Sequence, residues 1–142
     1  MIVASASPIR VLSVDDNPLI RDGIAIVVNS QPDMTLIAEA SGGAEALQKV
    51  RGLRPDVTLM DLRLPNESGI DVMIAIRNEF PDARILMLTT FEGDVEVQRA
   101  IEAGALGYLL KSMKPRQIAE AIRAAHAGKR YEAPRHSVPI KE

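Results

Sequence analysis

Three aspartates stand where two short apolar segments of the sequence end. Asp15 and Asp16 follow the apolar segment at residues 9–14, and Asp61 closes a second segment that starts at residue 57. Both segments are typical of buried parallel strands, and open α/β sheets bind their ligands at the carboxyl ends of such strands. We therefore expect the three carboxylates to converge on one pocket.

A cluster of three acids needs a compensating group. Carboxylates at close range repel one another unless a cation lies among them or one of them is protonated. Oxygen ligands of this kind suit Mg²⁺, which commonly takes a few carboxylates, keeps several waters and completes its shell with a phosphate. The three aspartates therefore predict a magnesium site suited to phosphoryl chemistry.

The first pair of acids has a second interpretation, as the start of a helix. Aspartate and asparagine cap free helix amides, and Pro18 suits a first helical turn. For Asp15 and Asp16 alone, this interpretation is the stronger one. Asp61 favours the site, because the next helix starts only near Gly69 and leaves Asp61 without a capping role.

The composition indicates a single domain. The chain has 142 residues, of which 46% are hydrophobic, enough for one well-buried core. It has no cysteine, which excludes disulfide, thiol and zinc chemistry and fits a reducing compartment. Because it shows neither a signal-peptide pattern nor a membrane-length apolar run, we expect a soluble, cytoplasmic protein that does not contact a membrane. A formal charge of −2 gives no general attraction to nucleic acid.

Short apolar runs alternate with helical periodicity along the chain, which is the pattern of strand and helix units around a parallel sheet. We expect an α/β fold with a doubly wound five-stranded parallel sheet and helices on both faces. The predicted strands cover residues 9–14, 34–40, 57–61, 85–89 and 107–110, and the predicted helices cover 18–29, 44–54, 70–80, 94–103 and 115–127. Gly104 is predicted to cap the fourth helix in a left-handed conformation.

Apolar stripes predict the buried faces of the first and last helices. The stripe of the first helix comprises Leu19, Ile20, Ile24, Val27 and Val28, and that of the last comprises Ile118, Ala119, Ile122 and Ala125. The sequence leaves open whether Ile24, Val28, Ile118 and Ile122 serve the core or an interface. Residues 1–8 and 128–142 lack this periodicity and are predicted to be an amino-terminal tail and a linker or tail.

Two further polar residues follow predicted strands. Thr89 ends the fourth strand and Lys111 follows the fifth, so both are expected on the edge that carries the aspartates. A hydroxyl there can hydrogen-bond a phosphoryl oxygen, and an ammonium can neutralise another. Threonine is also common at strand ends for packing, and a lysine after a strand is commonly solvated. Their joint placement with the three acids favours the functional interpretation.

The sequence around these positions resembles the receiver domain of two-component response regulators. The resemblance covers about residues 9–127. The segments at residues 104–112 and 126–131 resemble especially the NarL/FixJ subfamily, whose members carry a LuxR-type helix-turn-helix domain after the receiver. The motifs that carry it are Val14-Asp15-Asp16, Met60-Asp61-Leu62-Arg63-Leu64-Pro65, Leu88-Thr89-Thr90 and Gly107-Tyr108-Leu109-Leu110-Lys111. It implies a CheY-like fold, also called flavodoxin-like, in which five strand and helix units alternate.

The resemblance also implies a role for each site residue. Asp61 would be the phosphoacceptor, and Asp15 and Asp16 would hold Mg²⁺ together with the backbone carbonyl of Arg63. Thr89 and Lys111 would bind the phosphoryl oxygens. The switch aromatic would be Tyr108. Such a domain is a signalling module rather than an enzyme, with Mg²⁺-dependent self-phosphorylation and self-dephosphorylation as its only chemistry.

Partners follow from the same resemblance. A sensor histidine kinase would donate the phosphoryl group, and phosphorylation would promote a homodimer. DNA would be contacted only through a carboxy-terminal domain that these residues do not contain, with residues 128–142 as the linker to it. The alternative is a free-standing receiver that acts through protein contacts.

One position differs from many receivers, and two others are expected to modulate the receiver chemistry. Ser112 follows Lys111 where many receivers have proline, and we expect a trans bond there because a cis bond before serine costs about 2.5 to 4 kcal/mol. By analogy with receivers, Arg63 and Phe91 flank the approach of water to the phosphoryl group. We predict that both slow self-dephosphorylation.

Other classes fit the sequence less well. A haloacid dehalogenase phosphatase expects a second acid two positions after its nucleophile, where this chain has Arg63. A dinucleotide-binding module needs a first loop that cradles phosphate, and Asp15 and Asp16 would repel one. The remaining alternative is a purely structural interaction module. Labelling with a small phosphodonor would distinguish a receiver from such a module.

Overall fold

The computed structural model describes residues 7–90 and 94–131. Its main sheet has five parallel strands in the order β2-β1-β3-β6-β7, and a separate two-stranded sheet pairs β4 with β5. The strands are β1 (Ile9–Val14), β2 (Met34–Ala40), β3 (Val57–Asp61), β4 (Arg63–Leu64), β5 (Glu67–Ser68), β6 (Ile85–Thr89) and β7 (Tyr108–Leu110). The helices are α1 (Pro18–Asn29), α2 (Gly43–Leu53), α3 (Gly69–Glu79), α4 (Asp94–Glu102) and α5 (Pro115–His126).

Two hydrophobic cores lie on opposite faces of the sheet. The first contains buried residues of α2, α3 and α4, and the second contains buried residues of α1 and α5. Leu59 and Met60, neighbours in β3, belong to opposite cores because successive side chains of a strand point to opposite faces. The prediction of a doubly wound parallel sheet with helices on both faces is confirmed.

The strands of this sheet read as continuous apolar runs because both faces are covered. All residues of β3 and β6 are buried, whereas a sheet with one solvated face would alternate. Neighbouring strands β1 and β3 pair Val14 with Met60, which places the residues that follow β1 beside Asp61. The register therefore brings the chain positions that carry acids to one edge.

Helix and strand boundaries differ slightly from those predicted. Helices α2 and α3 each begin and end one residue before the predicted positions, α4 and α5 each end one residue early, and β7 starts one residue late. The hairpin of β4 and β5 was predicted as a loop. Its strands have two residues each and carry no detectable periodicity. Gly104 has a positive φ of 110° after α4, as the capping prediction requires.

The apolar stripe of α1 was predicted partly wrongly. Leu19 is 76% exposed, whereas Ile24 and Val28 are buried in the second core. Leu19 lies in the first turn of α1, and helical spacing alone does not bury a side chain there. Ile118 and Ile122 of α5 are also buried in that core. The four residues that the sequence left open between core and interface therefore belong to the core.

The backbone between the last strand and the end of the described residues is well defined by its peptide bonds and contacts. Every described peptide bond is trans, including that between Lys111 and Ser112. Tyr131 donates its backbone N–H to the Leu106 carbonyl at 2.7 Å and packs on the second core. Among residues 7–90 and 94–131, no helix is long and apolar enough to cross a bilayer.

Candidate functional site

The three aspartates converge at the carboxyl edge of the sheet, as expected. Asp15, Asp16 and Asp61 each offer a carboxylate oxygen, and these oxygens lie within 4.8 Å of one another. Asp15 and Asp61 are buried, and Asp16 is exposed. The loop after β1 supplies the first two and the last residue of β3 supplies the third. A single cation can therefore contact all three carboxylates.

The acids line a cavity that also contains the two other predicted polar residues. Its volume is about 250 Å³, and Thr89 at the end of β6 and Lys111 just after β7 are part of its wall. Thr89 is buried, and its carbonyl accepts a hydrogen bond from the Lys111 backbone N–H at 2.7 Å. The complete lining is Asp15, Asp16, Asn17, Asp61, Arg63, Thr89, Thr90 and Lys111. The cavity is open at one side, so a small phosphodonor can enter.

Lys111 bridges the two buried acids. Its Nζ lies 2.8 Å from Asp15 Oδ2 and 3.1 Å from Asp61 Oδ2, and its side chain is 13% exposed. Burial lowers the pKa of Lys111, but hydrogen bonding and attraction to the two carboxylates outweigh it, so that the pKa lies above its ordinary value. The lysine therefore stays positively charged and partly neutralises the site.

The pKa of Asp61 is shifted in the opposite sense to that of an ordinary paired carboxylate. Burial is the largest influence and raises it, and the charge of Asp15 raises it further. The Arg63 backbone N–H, which donates to Asp61 Oδ1 at 3.2 Å, and the Lys111 ammonium oppose the shift without cancelling it. Asp61 is thus a carboxylate whose negative charge is incompletely compensated.

The charges of the site leave room for a further cation. One ammonium faces two buried carboxylates, and Asp16 adds a third negative group at the rim. Asp15 Oδ2 is buried and lies 2.8 Å from the Lys111 ammonium, which it shares with Asp61. A set of carboxylate oxygens suits a hard divalent cation. The acidic cluster therefore fits a metal site.

In residues 15–18, Asn17 and Pro18 start the helix, whereas Asp15 and Asp16 belong to the acidic cluster. Asn17 caps α1, because its side-chain oxygen accepts from the Leu19 N–H at 2.9 Å, and Pro18 occupies the first turn. Asp15 accepts from the Asn17 N–H at 2.9 Å through Oδ1 and keeps Oδ2 towards Lys111. The helix cap thus orients the acid that precedes it.

Gly69 supports the nucleophile segment and was not singled out in the sequence. It begins α3, and its N–H donates to the Leu62 carbonyl at 2.8 Å. A Cβ at this position would collide with the backbone carbonyl of Asp61. Only glycine lets α3 start this close to the end of β3. The sequence does contain a signal that could have identified this residue, because a glycine stands where the third helix is predicted to start.

Arg63 connects the site to α4. Its Nη2 lies 2.9 Å from Glu96 Oε1, and Glu96 belongs to the first turns of that helix. Sequence reasoning did not identify Glu96, since the residues are 33 positions apart. Tyr108 begins β7 and packs partly buried against the first core. Phe91 lies outside the described residues.

The fold and the acidic cavity together define an α/β domain with a candidate cation site beside a buried aspartate. Residues 11–123 match the response regulator receiver domain. Because this match covers most of the chain, the protein belongs to the receiver domain family of response regulators.

Relatives with known names agree with this family. The chain is 47% identical over 120 residues to the transcriptional regulatory protein LiaR of Bacillus subtilis, covering 84% of this chain and 57% of LiaR. It is 43% identical over 120 residues to the uncharacterized transcriptional regulatory protein YxjL of the same species, covering 84% of this chain and 55% of YxjL. The chain thus spans little more than half the length of these curated relatives.

Solved structures show the same similarity. A LuxR-family two-component response regulator from Aurantimonas sp. superposes with a TM-score of 0.83 at 39% identity, covering 87% of this chain and 89% of the other. The signal receiver domain of a NarL response regulator from Mycobacterium tuberculosis gives a TM-score of 0.83 at 31% identity, covering 87% and 100%. The predicted resemblance to receivers of the NarL and LuxR type is confirmed.

Proposed function

We propose that this domain receives a phosphoryl group on Asp61 from a sensor histidine kinase. The observation that carries the proposal is the bridging of Asp15 and Asp61 by Lys111 at the floor of an open acidic cavity. In this arrangement the Asp61 carboxylate supplies the nucleophile, and the Lys111 ammonium beside it supplies positive charge for the transferring group. An interaction module without chemistry has no use for this arrangement.

Roles for the other residues are proposed from the similarity to receiver domains, and the cavity lining supports those proposed for all of them except Tyr108. Asp15 and Asp16, with Asp61 and the backbone carbonyl of Arg63, are proposed to hold Mg²⁺. When bound, Mg²⁺ would supply positive charge to the phosphoryl oxygens. Thr89 and Lys111 are proposed to bind those oxygens, and Tyr108 to respond to the movement of Thr89.

The proposed reaction is an in-line phosphoryl transfer. A carboxylate oxygen of Asp61 forms a bond to phosphorus while the bond between phosphorus and the donor breaks. The electron pair of the broken bond leaves with the donor, as acetate from acetyl phosphate or as the imidazole of the kinase histidine, which takes up a proton from water. The Lys111 ammonium offsets charge on the transferring group. The product is an aspartyl phosphate.

We further propose that phosphorylation promotes a homodimer and thereby transcriptional regulation. The support is the similarity to LiaR and YxjL, which are named as transcriptional regulatory proteins and are nearly twice as long as the matched region. In such a longer protein, a helix-turn-helix domain after the linker at residues 128–142 would contact paired half-sites that match the two-fold symmetry. A free-standing receiver that signals through protein contacts is the alternative.

Mass spectrometry of the intact chain tests the proposed nucleophile. Acetyl phosphate with Mg²⁺ should add one phosphoryl group to the parent and to Asp33→Asn, whose acid lies outside the cavity. Asp61→Asn should add none, and Asp16→Ala should add little because a metal ligand is lost. Undiminished labelling of Asp61→Asn would place the acceptor elsewhere.

Size-exclusion chromatography with light scattering tests the output. The phosphorylated parent should shift towards a dimer, and Thr89→Ala should be phosphorylated without that shift. Equal dimerisation of the two proteins would remove Thr89 from the switch. Residues 1–142 alone should show no sequence-selective DNA binding in a gel-shift assay, because residues 7–90 and 94–131 contain no helix-turn-helix.

A further inference from the structure

The hairpin that follows Asp61 is anchored to elements on two sides. Glu67 of β5 accepts the backbone N–H of Gly43 through Oε2 at 2.7 Å, at the start of α2. The Arg63 backbone N–H donates to Asp61 Oδ1 at 3.2 Å. Because the backbone is held at both points, the long side chain of Arg63 is the part of the hairpin best able to change partners.

Arg63 lies between two anionic positions. Its guanidinium pairs with Glu96 of α4 at 2.9 Å, and the residue also lines the cavity that contains Asp61, Thr89 and Lys111. The pair with Glu96 is weakly held, since the Arg63 side chain is 60% exposed and that of Glu96 is 35% exposed. A phosphoryl group on Asp61 would be a second acceptor within reach.

The second acceptor is the stronger one. A phosphoryl group carries a charge of about −1.5 to −2 and three acceptor oxygens, compared with a single negative charge on Glu96. The planar fork of arginine matches two of those oxygens at once. Phosphorylation of Asp61 therefore changes which anion the guanidinium prefers.

We propose that Glu96 is a positioning residue that holds Arg63 away from the phosphoryl site until Asp61 is phosphorylated. The proposal rests on the proposed function of Asp61. On phosphorylation, Arg63 exchanges Glu96 for the phosphoryl oxygens, and the first turns of α4 lose their tie to the β4–β5 hairpin. By linkage, the Arg63–Glu96 pair opposes phosphorylation to the same extent that phosphorylation opposes the pair.

The structure contains a matched ion pair for comparison. Arg51 and Glu79 lie 2.7 Å apart, with side chains 55% and 38% exposed, close to the values for Arg63 and Glu96. They join the ends of α2 and α3 and do not line the cavity. Glu79→Gln therefore changes the net charge and breaks an exposed pair without touching Arg63.

Calorimetric titration with beryllofluoride and Mg²⁺ measures the competition directly, since this anion is a phosphoryl analogue. Glu96→Gln should bind beryllofluoride about 2- to 5-fold more tightly than the parent, and Arg63→Gln about 5-fold more weakly, from ion-pair energies near 1 kcal/mol. In the Arg63→Gln background, Glu96→Gln should have no further effect. Glu79→Gln should bind as the parent does, and Glu96→Asp should fall between Glu96→Gln and the parent.

Hydrogen exchange of the α4 backbone amides gives a second readout. In the parent, beryllofluoride should speed exchange in the helix that contains Glu96, and in Arg63→Gln this exchange should already be fast without it. An equal effect of Glu96→Gln in both backgrounds, or weaker binding by Glu96→Gln, would overturn the competition between Glu96 and the phosphoryl group. A parent that does not bind beryllofluoride, or an Asp61→Asn variant that binds it equally well, would instead overturn the proposed function.

Discussion

The two edges of the central sheet use charged residues in opposite ways. At the carboxyl edge, Lys111 is shared by Asp15 and Asp61 in a buried site with more negative than positive groups. At the amino edge, Arg123 of α5 meets Asp33 before β2 through two contacts of 2.7 and 3.0 Å, in a pair that is 40% and 46% exposed. The amino-edge pair is balanced, and the carboxyl-edge cluster is not.

This difference separates structural charges from functional ones. An exposed, balanced pair contributes little to stability and costs little to break. A buried cluster with surplus charge costs stability unless another group binds to it. The surplus negative charge at the carboxyl edge can therefore be compensated by a bound cation, whereas the balanced pair at the amino edge needs no further charge.

Removal of the lysine should produce the largest effect. Lys111→Met leaves two buried carboxylates without their cation, and we expect the free energy of unfolding to fall by about 3 kcal/mol at neutral pH. Arg123→Met at the amino edge should cost less than 1 kcal/mol. Urea denaturation at pH 7 in the presence of EDTA measures both. Equal losses for the two variants would abolish the distinction between the edges.

A close backbone approach should give the next largest effect. Gly69→Ala places a Cβ against the Asp61 carbonyl, so either α3 or the end of β3 must shift, at a cost of about 2 to 3 kcal/mol. Gly52→Ala is the matched control, because a Cβ there meets nothing within 4 Å. Thermal denaturation compares the two variants. If Gly69→Ala is as stable as Gly52→Ala, the packing of α3 against β3 is looser than described.

The sequence predicted the position of the site but not the state of its charges. Asp15, Asp61 and Lys111 were assigned to one edge because each follows an apolar strand, and strand ends are well marked by composition. That Lys111 contacts both acids depends on strand order and register, which the sequence does not show.

The contacts missed by the sequence join distant segments. Glu96 meets Arg63, and Glu67 caps α2 from the hairpin of β4 and β5. Each pairing joins residues far apart in the chain, and strands of two residues leave no periodic signal. The exposure of Leu19 was missed because helical spacing does not tell which turns of a helix the core covers.

Neutralisation of the nucleophile should stabilise the domain while abolishing its proposed chemistry. Asp61→Asn removes one of two buried negative charges and leaves Lys111 paired with Asp15, so stability without metal should rise by about 1 kcal/mol, or roughly 4 °C in Tm. Because the folded state raises the pKa of Asp61, the parent binds more protons when folded. Its stability should therefore fall as the pH rises from the unfolded pKa through the folded one.

Stability curves from pH 3 to 7 in EDTA separate the two proteins. The difference in the free energy of unfolding between Asp61→Asn and the parent should grow as the pH rises from the unfolded to the folded pKa of Asp61. At higher pH this difference should stay constant. Mg²⁺ should reduce this difference at neutral pH, because it should stabilise the parent more than the variant. A parent that is more stable than Asp61→Asn at pH 7 without metal would mean that Lys111 fully compensates both acids.

The smallest effect belongs to the amino edge, and its pH dependence has the opposite sign. Hydrogen bonding to Arg123 lowers the pKa of Asp33, with burial opposing the shift. A lowered folded pKa gives stability that is present above the unfolded pKa and is lost as the pH falls through the folded one.

Because both side chains are more than one-third exposed, Asp33→Asn should lower the free energy of unfolding by only about 0.5 kcal/mol at pH 7. That cost should shrink in 1 M salt, where the Debye length falls to about 3 Å. Urea denaturation at low and high salt checks it, with Asp82→Asn as a surface control. A cost that is independent of salt and persists at pH 2 would show that Asp33 acts through packing rather than through charge.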